Sequence, residues 1–168
     1  QLFVNGDSGA PVVMTSDLDD GTWRASCNEW GNLTICGDAY IGFDGVTNSG
    51  GFSSNTLSPS ASNEANMEGL LEEAGNLTLN NYGGGDDNYD AGSISYLSIR
   101  YGGRVQGLSN ELNGLSLGAL GRGTQIHHVE IMNNVDDGIE IWGGTVGLKY
   151  ITIWNVGDDS FDVDQGWR

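Results

Sequence analysis

The 168-residue chain has two prolines, two cysteines, two histidines and only six basic residues, and each scarcity excludes something. No apolar run approaches the ~20 residues that a membrane-crossing helix needs. Six Lys and Arg against 23 Asp and Glu give a net charge of −17. That balance argues against a nucleic-acid partner and against an anionic membrane surface. It suits divalent cations, a saline medium or a solvated acidic surface. No G-X-Y period is present, so the glycine content is not that of collagen. His127 and His128 are adjacent. Neighbours on a strand point to opposite faces, so the pair lacks a metal-ligand spacing and is expected to be exposed or packed at a corner. No Ser-His-Asp or Cys-His arrangement has a usable context, and arrays of Thr-x-Thr, which an ice-binding face would need, are missing. Cys27 and Cys36 have eight residues between them. A disulfide joining them is expected if the protein is secreted; the alternative is two small buried thiols. The chain starts at Gln1 without a Met or a signal sequence and stops after Arg168 without a cap. It is therefore expected to be part of a longer chain.

Glycine, by contrast, is abundant: 28 of 168 residues, against a usual ~7%. Glycine with Asn, Asp and Ser suits a fold that turns every few residues. The last forty-five residues, 124–168, contain one unit twice. Ile126, Val129, Ile131, Asp136, Asp137, Ile139, Glu140 and Ile141 return 22 residues later as Leu148, Ile151, Ile153, Asp158, Asp159, Phe161, Asp162 and Val163. V-E-I and I-T-I alternate as half-buried strands do. A polar corner follows, then a second alternating strand, and nothing between them has a helical period. A fixed period of this size signals stacked repeats. The expected fold is all-β: a parallel β-helix, a solenoid of ~22-residue rungs stacked at the ~4.8 Å strand spacing.

A third copy lies upstream, with Ile94, Leu97 and Ile99 in the first strand and Asn113, Gly114, Leu115 and Leu117 in the second. Its offsets are 32 and 24, so about eight residues, roughly 104–111, should loop out at that corner. A single β-helix domain over 1–168 is expected, with irregular rungs over 1–42, a loop excursion over 43–92 and regular rungs over 93–168. LFV, PVVMT, NLTI and AYI are the early strands. Residues 43–66 read as a long loop, 67–74 as one or two helical turns, and 75–81 as a return to strand.

The stacked acids are the sharpest feature. In register, Asp136 lies over Asp158, Asp137 over Asp159, and Glu140 over Asp162 on the outward face. Like charges ~4.8 Å apart repel by roughly 3.5 kcal/mol at an effective dielectric of 20. Such columns have three uses: Asp side chains can cap turn N–H groups, the carboxylates can bind Ca²⁺, or a pair can share a proton as catalytic acids do. Trp142, Trp154 and Trp167 lie near these corners and could stack on sugar rings or plug the stack. Asp86-x-Asn88-x-Asp90 is half of a calcium loop, without the Gly and Glu that such loops require, and Asp17, Asp19 and Asp20 form a similar loose cluster. Asn32-Leu-Thr and Asn76-Leu-Thr match the glycosylation pattern, relevant only to a eukaryotic secretory setting.

The runs WGNLTICGDA, YLSIRYGG, NELNGLSLGALG, DDGIEIWGGTV and GDDSFDVDQGWR resemble those of secreted and cell-surface lipoproteins of Gram-negative bacteria. That resemblance spans nearly the whole chain, 43–66 being its poorest part, and implies a right-handed parallel β-helix at the bacterial surface. A narrower resemblance, carried by NVDDG at 134–138 and GDD at 157–159, is to polygalacturonase-type glycoside hydrolases. It implies catalytic roles for Asp137, Asp158 and Asp159. Val135-Asp136 departs from that family's Asn-Thr-Asp, and its later G-H-G and R-I-K motifs are not found. Inversion needs carboxyls ~6.5–9.5 Å apart, which a diagonal pair such as Asp137 and Asp158 would meet better than directly stacked residues.

The function expected from these features is structural, adhesive or assembly-forming, at a cell surface, possible Ca²⁺ ligands being Asp136, Asp137, Asp158, Asp159, Glu140 and Asp162. The alternative is a polysaccharide hydrolase or lyase. An extracellular polysaccharide, or a second copy meeting an unpaired strand edge, is the expected partner.

Overall fold

The computed structural model describes residues 1–42, 59–70, 80–108 and 110–168. In chain order its strands are β1 (Leu2–Asn5), β2 (Val12–Met14), β3 (Leu33–Cys36), β4 (Ala65–Asn66), β5 (Asn81–Tyr82), β6 (Gly92–Arg100), β7 (Val105–Gly107), β8 (Asn110–Glu111), β9 (Leu115–Gly118), β10 (Gln125–Met132), β11 (Ile139–Trp142), β12 (Gly147–Trp154) and β13 (Phe161–Asp164). One parallel sheet runs from β1 and β2 through β6 and β10 to β12. A second parallel sheet runs β3, β9, β11, β13. The chain alternates between the two sheets and is thus an all-β parallel β-helix. Ile126 pairs in register with Leu148 and Ile94, and Ile139 with Phe161 and Leu115.

Inward side chains stack in columns. Val4, Ile94, Ile126 and Leu148 form one, and Ile35, Leu117 and Ile141 another. Together with Leu97, Val129, Ile99 and Ile131 they make the main core. Each coil of the long sheet shows an inward spacing of three and then two, as at Ile126, Val129 and Ile131. A plain strand alternates by two. The extra residue is absorbed by a left-handed backbone at Tyr96, His128 and Tyr150, with φ of 50°, 53° and 56°. Tyr101, Asn133 and Asn155 repeat the device at the next corner, with φ of 59°, 56° and 56°. Asn tolerates that region better than most residues, and Asn155 Nδ2 also donates to Asn133 Oδ1 at 2.6 Å.

The expected insertion at 104–111 is an antiparallel pair, β7 with β8. The excursion differs from expectation where it is described. Residues 67–70 form a turn rather than a helix, and β4 pairs antiparallel with β5. Residues 39–41 form no strand; Ile41 makes one isolated bridge to Ser60. The remaining expectations for 43–58 and 71–79, the sequon at Asn76 included, lie outside the described residues. Ala65, Met67 and Tyr82 from the excursion pack with Ala39, Ile41, Ala119 and Trp142 as a second core. That core lies against the outer face of the short sheet. A Cβ on Gly118 would stand 2.6 Å from the Tyr82 ring and 2.7 Å from Met67 Cε.

The expected disulfide is absent: Cys27 and Cys36 are both free thiols. Cys27 is exposed at the corner before β3, whereas Cys36 ends β3 and packs against the second core, whose burial pushes its thiol up to about 11.

Close stacking makes one glycine indispensable. A Cβ on Gly138 would meet Ile153 Cγ2 at 2.5 Å and the Ser160 carbonyl at 2.8 Å. Gly138→Ala should lower stability by about 1–3 kcal/mol, read from the urea midpoint at unchanged slope. An unmoved midpoint would contradict this packing.

Candidate functional site

The corner between β10 and β11 is Asn133–Gly138, and the corner one coil on is Asn155–Ser160. Their stacking brings the acids together. Carboxylate oxygens of Asp136, Asp137 and Asp158 all lie within 4.8 Å of one another, as do those of Asp137, Glu140 and Asp162. Asp137 belongs to both trios. Asp159 belongs to neither. It is exposed, and it contributes its backbone N–H, which donates to Asp137 Oδ1 at 2.8 Å. The coil below repeats that contact, Asp137 N donating to Asn113 Oδ1 at 3.2 Å. Turn capping is therefore one use of the column, and it occupies one Asp137 oxygen.

Glu140 stands on the outward face of the short sheet, in register with Thr34, Ser116 and Asp162. An outward strand position is ordinarily wet, yet Glu140 is 7% exposed and Ser116 1%, because the excursion covers this face. Asn113 Nδ2 donates to Glu140 Oε2 at 2.5 Å. Desolvation first, then the charges of Glu68, Asp162 and Asp137, push the Glu140 carboxyl up to about 9. Burial likewise raises Asp137 to about 6, although the Asp159 N–H opposes the shift. Desolvation and then Glu111 and Asp158 raise Asp136. Glu68, brought in by the excursion, is raised to about 7 by burial and then by Asp136, Asp137, Asp162 and Glu111.

Glu68, Glu111 and Asn113 were not singled out as site residues by sequence reading. Glu68 lies in MEGLLEEA, which reads as a helical turn, and Glu111 in the insertion. Neither shares the period of the acids it joins, so only the folded chain reveals the association.

No basic side chain answers this charge. Arg24 pairs with Glu29, Arg100 lies near Asp19 and Glu130, and Arg122 and Arg168 share Asp87. Arg104 and Lys149, the other two basic residues of the chain, make no ion pair among the described residues. The buried carboxyls of Asp137 and Glu140 therefore favour a proton or a cation that the chain does not supply. Oxygen-only donors select hard cations. Two ligands on one Ca²⁺, each at 2.3–2.6 Å, lie at most about 5 Å apart, so both trios fit.

The tryptophans divide. Trp142 is 2% exposed and its ring centroid lies 6.2 Å from that of Tyr82. It is a core residue, and its assignment to sugar stacking is corrected: the excursion covers its face. Trp154 and Trp167 keep 39% and 38% exposure, their indole N–H groups donating to Glu130 Oε1 and to the Val146 carbonyl. The two looser acid clusters serve turns. Asp86 and Asp90 accept from the N–H groups of Asn88 and Gly92, and Asp19 and Asp20 from those of Gly21 and Thr22. Asn32 Nδ2 donates to Ser116 Oγ at 3.0 Å. No helix among the described residues is long and apolar enough to cross a membrane.

Parallel coils with a half-sunk carboxylate cluster at their corners define a β-helix protein with an acidic corner site. The family model described as a pectate-lyase like beta helix domain matches residues 1–168, and the chain belongs to that family. No curated protein and no solved structure matches it.

Proposed function

We propose that this is an extracellular, bacterial cell-surface protein that engages a polysaccharide, in a structural or adhesive role, and holds Ca²⁺ in its carboxylate cluster. In this reading the coil is right-handed, as in the families it resembles, and its regular unit is about 22 residues, as the returning sequence suggests. One observation carries the proposal: Asp136, Asp137, Glu140, Asp158 and Asp162 converge in two overlapping trios with no basic partner. The family's description names pectate lyase, an enzyme of an acidic polymer. A chain of net charge −17 repels a polyanion, and a shared divalent cation would reverse that repulsion locally. Trp154 and Trp167, each partly exposed, supply aromatic faces for sugar rings.

Affinity electrophoresis in gels containing pectate, alginate or a neutral glucan tests this. Calcium should retard the protein in the acidic gels, and chelation or Asp136→Asn with Asp158→Asn should abolish the retardation. Equal mobility in all gels, with and without calcium, would refute it.

A second reading is a hydrolase or lyase using Asp137 and Asp158, with Asp159 beside them. It is favoured by the raised Asp137 carboxyl, at about 6, since an acid catalyst works best near the ambient pH. The spacing speaks against inversion: the Asp137 and Asp158 oxygens lie within 4.8 Å, short of the ~6.5–9.5 Å that admits a water. If it is such an enzyme, reducing ends or unsaturated products will accumulate from at least one polymer, and Asp137→Asn will stop their release.

A further inference from the structure

The outer face of the long sheet carries a second constellation, remote in kind from the acids. Tyr96, His128 and Tyr150 are successive members of one column, each with φ between 50° and 56°. Their rings stack, with centroids 4.4 Å apart between Tyr96 and His128 and 4.5 Å between His128 and Tyr150. The left-handed backbone at His128 also undoes the alternation of the strand. His127 and His128, which on a regular strand would face opposite ways, both stand on the outer face, since Ile126 and Val129 on either side are the inward pair. Their Nδ1 atoms are 2.9 Å apart, with ring planes at 86°. His127 is set edge-on to Tyr96, at 6.2 Å and 88°. The expectation that the histidines diverge is thus overturned, and its physical reason is the extra residue in the strand.

We infer that His127 and His128 form a bidentate imidazole site for a tetragonal divalent transition ion, Cu²⁺ foremost and Ni²⁺ after it. At a metal–nitrogen distance of about 2.0 Å, nitrogens 2.9 Å apart subtend about 93°. Square-planar and tetragonal ions prefer that angle. A tetrahedral Zn²⁺ site would need about 3.3 Å at the same bond length. The clamp between two tyrosine faces fixes the His128 ring, so little ordering remains for the ion to impose. Without metal, one Nδ1–H donates to the other Nδ1. On binding, that proton moves by way of solvent from Nδ1 to Nε2 of the same ring, which frees both Nδ1 lone pairs for the ion. Water completes the coordination. The chain's negative charge concentrates cations at the surface, and Lys149, in register with His127, opposes this locally.

Copper titration in millimolar calcium, which occupies the carboxylate cluster if that cluster binds it, tests the site by equilibrium dialysis and electron paramagnetic resonance. One Cu²⁺ per chain with hyperfine structure from two nitrogens is expected, with weaker binding of Zn²⁺. His127→Gln leaves the tyrosine clamp intact, and His128→Asn keeps a residue suited to the left-handed backbone. Each should weaken copper by at least about tenfold, the lower bound for losing even a ligand's support. Lys149→Ala should tighten it, and Asp136→Asn should leave the nitrogen signal unchanged. A spectrum without nitrogen coupling, or equal copper affinity in the double histidine variant, would overturn the inference. A nitrogen signal lost in Asp136→Asn would do the same.

Discussion

Glu140→Gln is expected to stabilise the protein at alkaline pH and to leave it nearly unchanged at pH 4. The folded chain keeps protons on Glu140, Asp137 and Glu68 up to about 9, 6 and 7, whereas the unfolded chain releases them near 4. The folded state therefore binds more protons between these values, and stability falls as pH rises. The contribution is whole below about pH 4 and is lost progressively as pH passes 6, 7 and then 9. Glu140 dominates, being 7% exposed and the most displaced. At about 1.4 kcal/mol per unit, discounted for water entry, its ionisation or forced protonation costs on the order of 2–4 kcal/mol at pH 8. Glutamine retains an oxygen to accept from Asn113 Nδ2 and carries no charge, so it removes that cost. Urea melts of the two proteins at pH 4, 6 and 8 in chelator measure the difference. A variant less stable than its parent at pH 8 would mean that a further group answers the Glu140 charge.

Calcium should act on the same carboxylates with the opposite effect on wild type. A cation that binds only the folded state stabilises by the logarithm of its saturation, about 2.7 kcal/mol at one hundred times the dissociation constant. Sites in extracellular modules bind at about 10⁻⁴–10⁻³ M, so 10 mM calcium is expected to approach that value. For a chain of this length the melting temperature should rise by roughly 5–10 °C. The rise should be larger at pH 8 than at pH 5, where protons compete for the oxygens. Asp136→Asn combined with Asp158→Asn removes two of the three ligands that include Asp137 at the corner and should abolish most of the shift. A melting temperature that ignores calcium at pH 8 would leave the cluster as a proton store and a set of turn caps.

The two effects are separable. A proton-only cluster predicts that Glu140→Gln stabilises in any buffer at pH 8. A calcium-loaded cluster predicts that this gain shrinks or reverses in 10 mM calcium, because the substitution then removes a ligand.

The sequence by itself determined the stacking. An offset of 22 residues carries Ile126 onto Leu148 and Asp136 onto Asp158, and the structure's strand pairing follows it. Parallel pairing with one buried face admits no slip without turning every apolar residue outward. The spacing of three in Ile126–Val129 was equally present in the letters. It marks the left-handed residue that sets two histidines side by side, although strand alternation alone suggested the contrary.

What only the tertiary structure decided is the environment of each outward side chain. Glu140 and Trp142 occupy positions that a repeat leaves exposed, and both are buried because Ala65, Met67, Glu68 and Tyr82, from segments that share no period with the coils, lie over them. The same cover adds Glu68 to the acids and packs against Cys36. Periodicity encodes contacts between equivalent residues of neighbouring coils. It carries no information about where an aperiodic segment comes to rest, and desolvation by that segment is what shifts the site's protons.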